Sequence, residues 1–422
     1  MKKIIILIIL PILVGCTINT KEQQIEPQKV NIIEEIEKYN LEIEKDFLTW
    51  IENKYGEEKL IELNEYLKNN QYDKTIWHEI TGNTITVLKD LYNGTLENTK
   101  IIEGNKETKT ISFIGDISLA DNFEIMPYYD QRGGIQGILD QKTIDFMNNT
   151  DLMVANSEFT ISDRGTPMKN KIYTFRANPN RVPIYDEMGI DLITLANNHV
   201  FDFGEDAFLD MMDILDQKNM PHIGAGRNKE EAIKPYYFII NGYKIGFINA
   251  TRAEKYILTP EAQEDSPGVF RCYDPTLFIE KIKETKEKSD YVIALIHWGK
   301  EDSHELEQVQ IETGKLYIDA GADALIGSHA HVLQGIEFYN NKPIVYNLGD
   351  FIFNRETKET GIFSINISNN GELSYSFIPC MQNNYKTTML EGNEKQKTLE
   401  NMNTWSINAK FDNDGKITEE TF

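Results

Sequence analysis

From Asn31 to about Tyr92, apolar residues recur every three or four positions. Ile36, Tyr39, Ile43, Phe47 and Ile51 form one series, Leu60, Leu63 and Leu67 a second, and Ile85, Leu88 and Tyr92 a third. Charged residues fill many of the intervening positions, so the segment predicts amphipathic helices packed into a small bundle. Near Thr108 the texture changes. Short, nearly continuous apolar runs appear at Ile111-Ser112-Phe113-Ile114, Leu152-Met153-Val154-Ala155, Leu192-Ile193-Thr194-Leu195, Ile245-Gly246-Phe247-Ile248, residues 291–296, Ala324-Leu325-Ile326 and Ile344-Val345-Tyr346. Helix-like stretches cover residues 206–218, 275–288 and 305–320. Such runs separated by helices predict strands buried on both faces by helical layers, an α/β domain. After Ile362 the period becomes two. Phe363, Ile365 and Ile367 share one face, Asn369-Asn370-Gly371 turns the chain, and Leu373, Tyr375 and Phe377 return on that face as a hairpin. Asp412-Asn413-Asp414-Gly415 predicts a second turn; no glutamate is placed to close it as a calcium loop.

The chain starts differently. Met1-Lys2-Lys3 is basic, and residues 4–13 are apolar except for Pro11. A run of roughly ten residues suits a signal-peptide core and is too short to span a bilayer. It ends in Leu13-Val14-Gly15-Cys16, which resembles the lipobox of bacterial lipoproteins. That resemblance implies cleavage before Cys16, lipidation of its thiol, and anchorage on the extracytoplasmic face of the cell membrane. The expected organisation is a lipoprotein signal peptide over residues 1–15, a polar tether over 16–30, a helical region over 31–105, the α/β domain over 108–356 and a β-hairpin extension over 357–422.

Composition narrows the partners. The 422 residues carry a formal charge of −24, which opposes nucleic-acid binding because that depends on neutralising phosphates. Of three cysteines, Cys272 and Cys380 remain after Cys16, and an oxidising location permits a disulfide between them. With no Cys-x-x-Cys pattern, a thiolate metal site is not expected.

The chemistry lies directly after the apolar runs. The first is followed by Gly115-Asp116, the second by Asn156-Ser157-Glu158, the third by Ala196-Asn197-Asn198-His199. Residues 291–296 lead into His297-Trp298-Gly299, and Ala324-Leu325-Ile326 into Gly327-Ser328-His329-Ala330-His331. Ligands gather at the carboxyl ends of strands in open α/β sheets. Four of the seven histidines stand at such ends; His78, His222 and His304 do not. Imidazoles, carboxylates and an amide oxygen, with no sulfur, suit one or two divalent cations such as manganese, iron or zinc. A bound cation also screens an anionic substrate from the acidic protein.

At these residues the chain resembles the CapA family of poly-γ-glutamate capsule synthesis proteins, whose domain is similar to the calcineurin-like metallophosphoesterases. The resemblance runs from about Lys109 to about Asn354. It rests on Phe113-Ile114-Gly115-Asp116, Asn156-Ser157-Glu158, Phe175-Arg176-Ala177-Asn178-Pro179, residues 196–204, His297-Trp298-Gly299, residues 328–334 and residues 346–351. It implies a layered metallophosphoesterase-like β-sheet domain with flanking helices. It also implies Asp116, Glu158, Asn198, His297, His329 and His331 as metal ligands and His199 as the catalytic acid or electrostatic stabiliser. Arg176, whose guanidinium suits bidentate anions, and Asn197 would meet substrate. Expected partners are the membrane, capsule-synthesis membrane proteins and an anionic polymer.

Three departures accompany the resemblance. Metallophosphoesterases usually begin with Asp-x-His, where this chain has Asp116-Ile117-Ser118. Their Asn-His-acid block reads Asn198-His199-Val200, with Asp202 two places on. Glu158 stands where an aspartate usually bridges two metals. Three functions remain open: capsule synthesis or export through a metal site, metal-dependent phosphoester hydrolysis in the envelope, and a metal-stabilised scaffold.

Overall fold

The computed structural model describes residues 31–103, 107–254 and 258–420. Cys16 and the segments expected as signal peptide and tether lie outside them. The chain divides into two units, Met1–Gln71 and Tyr72–Phe422. In the first, helices span Ile32–Glu37, Lys45–Tyr55 and Glu57–Asn69. The Asn31 carboxamide oxygen caps the first of them by accepting the Ile33 N–H at 3.1 Å. Of the first two periodic series, Ile36, Phe47, Ile51, Leu60, Leu63 and Leu67 are buried together with Ile33 and Leu48, whereas Tyr39 is exposed and Ile43 half-buried. The expected helical region therefore divides at Gln71. Helices Ile76–Thr81 and Ile85–Asn93 and the strand Thr99–Ile102 belong to the second unit.

That unit is built on two sheets. One orders its strands Thr99–Ile102, Tyr236–Ile240, Tyr243–Thr251, Tyr291–His297, Ala324–Ser328, Lys342–Leu348 and Leu333–Tyr339. The other runs Ala409–Phe411, Lys416–Glu419, Leu373–Asn383, Lys358–Ser368, Thr108–Ile117, Leu152–Ser157, Leu192–Thr194 and His222–Ile223, with Asp350–Ile352 beside Thr108–Ile117. All seven apolar runs are strands.

Alternation along each strand sorts its side chains between two layers. Ile293 and Leu295 join Phe113, Val154, Phe363 and Phe377 in the core between the sheets. Val292, Ala294 and Ile296 point the other way, onto Phe278 and Ile282 of helix Thr276–Glu287 and Tyr317 and Ile318 of helix Gln308–Asp319. Behind the second sheet, Met153, Ala155 and Ile193 pack with Phe208, Met211 and Leu215 of helix Glu205–Gln217. The expectation of helices on both faces of one sheet is thus corrected. Each sheet has helices on one face and the other sheet on its second face, giving four layers, α/β/β/α. An apolar run reports burial on both faces but not what does the burying.

The Lys358–Ser368 and Leu373–Asn383 hairpin pairs Ile367 with Leu373, Ile365 with Tyr375 and Phe363 with Phe377. It is not a free extension: Phe363 also pairs with Phe113 inside the main sheet. Cys272 and Cys380 are free thiols, buried in different helix-facing layers, so the permitted disulfide is not formed.

Candidate metal centre

Strand register assembles the site. In one sheet Asp116 stands beside Asn156 and Asn156 beside Thr194. In the other, Thr251 stands beside His297 and His297 beside Ser328. These rows are the carboxyl ends of parallel strands, and the segments just beyond them carry Glu158, Asn198, His199, His329 and His331. Register slips between Ile114 and Asp116, where Gly115 lets the Thr108–Ile117 strand approach Gly349. A Cβ on Gly115 would fall on the Gly349 carbonyl oxygen, which accepts the Asp116 N–H at 3.0 Å. His329 and His331 take positive φ, 98° and 57°. Such strain in two neighbouring non-glycine residues is typical of a functional loop.

Asn156 is the hub. Its amide nitrogen donates to Asp116 Oδ1 at 2.7 Å and lies 3.3 Å from His297 Nδ1. Its oxygen accepts from the Thr194 hydroxyl at 3.0 Å and the Asn197 amide at 3.3 Å. His297 Nε2 lies 2.8 Å from Asn198 Oδ1, and its Nδ1 lies 2.9 Å from the Ser328 hydroxyl. Asp116 Oδ2 accepts the His329 N–H at 3.1 Å and sits 3.6 Å from His331 Nδ1, which meets Asp350 Oδ1 at 2.7 Å. All six residues expected as ligands therefore meet in one cluster.

Glu158 decides whether that cluster suits a cation. Its Oε1 is fully buried and has no hydrogen-bond partner. It faces His297 Nε2 at 3.6 Å, His199 Nε2 at 3.8 Å and His331 Nε2 at 4.0 Å. These separations are too long for hydrogen bonds. Two ligands each about 2.1 Å from one cation stand roughly 3 to 4.2 Å apart. Glu158, His297 and His329 bring ligand atoms within 4.8 Å of one another, as do Asp116, Glu158 and His331, so Glu158 is common to two groups. The donor set fits a divalent ion.

Protonation is tuned accordingly. Burial pushes Asp116 up to about 7, with help from Glu158, and pushes Glu158 up to about 8. Burial lowers His297 to about 3 and holds His199 and His329 well below the usual imidazole range. Each of these neutral rings keeps one nitrogen unprotonated. For His331 burial acts in the same direction, but Asp350, Glu158 and Asp116 outweigh it and hold the ring charged. A cation would replace these protons.

His199 lies beside the cluster, its Nδ1 2.7 Å from Asp202 Oδ2 and its ring 4.5 Å from that of Phe175. The acid missing after His199 is thus supplied by Asp202, one loop turn later. Asp202 also accepts the Phe175 N–H at 2.7 Å and pairs with Lys171 at 2.9 Å. Lys171 further meets Glu254 at 3.0 Å and bonds the Asn198 carbonyl.

Two expected substrate contacts differ. Asn197 is fully buried, and its amide is engaged by Asn156, the Ser157 carbonyl and the His199 N–H, so it shapes the loop. The Arg176 guanidinium bonds the Arg164 carbonyl at 3.2 Å and stacks 4.2 Å above Phe203. Asn156, Lys171, Asp202 and Asp350 are site residues to which the sequence pattern assigns no role. Asp350 had a signal: Leu348-Gly349-Asp350 repeats the apolar-Gly-Asp pattern of Ile114-Gly115-Asp116. Lys171 had none.

With this geometry established, comparison with known proteins places the chain. The model of the bacterial capsule synthesis protein family PGA_cap matches residues 110–355. The PGA biosynthesis protein CapA of Bacillus subtilis (strain 168) is 26% identical over 368 residues, 86% of this chain and 95% of that one. The capsule biosynthesis protein CapA of Bacillus anthracis is 26% identical over 65% of this chain and 67% of its own length. The solved structure of a novel phosphatase from Mycoplasma pneumoniae aligns at 12% identity and TM-score 0.42, covering 66% of this chain and 95% of that one, a likeness too loose to argue from.

Proposed function

The chain belongs to the bacterial capsule synthesis protein family PGA_cap, and from that premise we propose that it serves the synthesis or export of an anionic capsule polymer through a divalent-metal centre. Asp116, Glu158, Asn198, His297, His329 and His331 would hold the metal. One observation carries this reading: the unpartnered, fully buried Glu158 Oε1 faces imidazole nitrogens at 3.6 to 4.0 Å. A divalent ion there supplies Lewis acidity toward an anionic or carbonyl oxygen.

A hydrolytic role is favoured over a scaffold by the His199–Asp202 pair. A structural metal site has no use for an imidazole that is buried, neutral and oriented by a carboxylate at 2.7 Å. Asp202 orients Nδ1–H and leaves the Nε2 lone pair aimed at the cluster, where it can take up a proton. The substrate class is an ester or amide bond in an envelope polymer, with a phosphoester as the simplest probe.

Metal analysis of the purified chain, together with manganese-dependent hydrolysis of an aryl phosphate diester, tests both parts. Bound manganese, iron or zinc that is lost in His329→Ala supports the centre. Activity abolished by His199→Ala with metal retained supports hydrolysis. A wild-type chain that binds no divalent ion sinks the proposal.

The basic start, the apolar run and Leu13-Val14-Gly15-Cys16 motivate a lipid anchor at the outer face of the membrane. No helix among the described residues is long and apolar enough to cross a bilayer. Fatty-acid labelling that persists in Cys16→Ser would remove the anchor from the proposal.

A further inference from the structure

Beyond the six ligands, the segment after His297 brings another carboxylate to the centre. Gly299 turns the chain with φ 99°, and a side chain there would press on Gln310 Nε2 at 2.9 Å. Asp302, also left-handed at φ 55°, donates its N–H to the Ala330 carbonyl at 2.9 Å. That bond ties the segment to the middle residue of His329-Ala330-His331. The Asp302 carboxylate is 3.0 Å from Lys358, which lies 3.4 Å from Asp350, the partner of His331. Glu301 is held between these attachments. Its Oε1 stands 4.0 Å from His329 Nε2, and Glu301, His329 and His331 form a third group whose ligand atoms lie within 4.8 Å of one another.

The three groups have a simple relation. Glu158 is shared by the sets containing His329 and His331, and its side chain is fully buried. Glu301 is shared by His329 and His331 themselves, and its side chain is 58% exposed. One carboxylate forms the floor and the other stands at the solvent side.

We propose that Glu301 is a further cation ligand, closing the centre from the solvent side. This rests on the metal-centre reading above and adds a residue to it. A third carboxylate shifts the donor set toward oxygen, which suits manganese better than zinc.

Calorimetric titration of the full chain with Mn²⁺, for wild type, Glu301→Gln and Glu305→Gln, tests the assignment. Glu305 is an exposed carboxylate on the same segment but outside all three groups, so its variant measures the loss of one surface charge. Glu301→Gln is expected to weaken Mn²⁺ binding by roughly tenfold or more, or to lower the stoichiometry, with Glu305→Gln close to wild type. Unfolding in chelator should match among the three, because Glu301 is exposed. If wild type binds Mn²⁺ and Glu301→Gln binds it equally, or both variants weaken it alike, the ligand role is overturned while the centre stands. If wild type binds no Mn²⁺, the centre itself falls and the ligand role with it.

Discussion

Replacing Glu158 by Gln should make the metal-free protein more stable and the metal-loaded protein less so. The carboxyl is fully buried, and its pKa moves from 4.5 to about 8, chiefly through burial. Between those values the folded state binds more protons than the unfolded state, so stability falls as pH rises through that window. A shift of roughly three and a half units at about 1.4 kcal/mol per unit amounts to an upper bound of about 5 kcal/mol above pH 8. Glutamine has nearly the same shape and can still accept from the Asn156 amide, which lies 3.5 Å from Glu158 Oε2. It carries no charge to desolvate. Urea unfolding in chelator should therefore show Glu158→Gln more stable than wild type at pH 8.5, by on the order of 2 to 4 kcal/mol, with the gap closing near pH 5. With Mn²⁺ the order should reverse, because a ligand that binds only the folded state stabilises it by mass action. A variant less stable than wild type in chelator at pH 8.5, or one that Mn²⁺ stabilises as strongly as wild type, would refute the reasoning.

The same geometry sets further outcomes. Cation affinity should rise from pH 6 to pH 8 as Asp116, at about 7, and Glu158, at about 8, lose their protons; titration in two buffers of different ionisation enthalpy should register proton release. Gly115→Ala would drive its Cβ into the Gly349 carbonyl and displace Asp116, so a loss of about 3 kcal/mol in urea unfolding is expected, together with weaker Mn²⁺ binding. Lys171→Met leaves Asp202 and Glu254 without the cation that pairs them at 2.9 and 3.0 Å, and should destabilise the fold by about 3 kcal/mol. Lys171→Arg should recover part of that loss, and failure of either result would show the pair to be energetically idle.

Much of the architecture was legible because it is local. A run such as Leu152-Met153-Val154-Ala155 has no polar face, so it must be covered on both sides, and all such runs are strands. The Asn369-Asn370-Gly371 turn set the Phe363–Phe377 register, since alternation admits no slip of one residue. Strands at the sheet margins were harder to see. Tyr236–Ile240 pairs back on Tyr243–Thr251 through Asn241-Gly242, whose φ values of 49° and 74° make a hairpin turn of the kind that an Asn-Gly pair favours.

The sequence by itself determined the composition of the candidate centre. Acids, amide and imidazoles stand just past buried strands, and parallel strands bring the residues at their carboxyl ends to a common edge. Only the tertiary structure decided how those groups meet. Two sheets had to stack before Glu158 of one could face His297 of the other at 3.6 Å. A loop had to turn before Asp202 could take the place of the acid absent after His199. A backbone bond from Asp302 to Ala330 had to form before Glu301 could stand 4.0 Å from His329. Each is a distance between segments far apart in the chain or set by a loop's path. Hydrophobic periodicity constrains which face a residue shows, not which distant residue it meets.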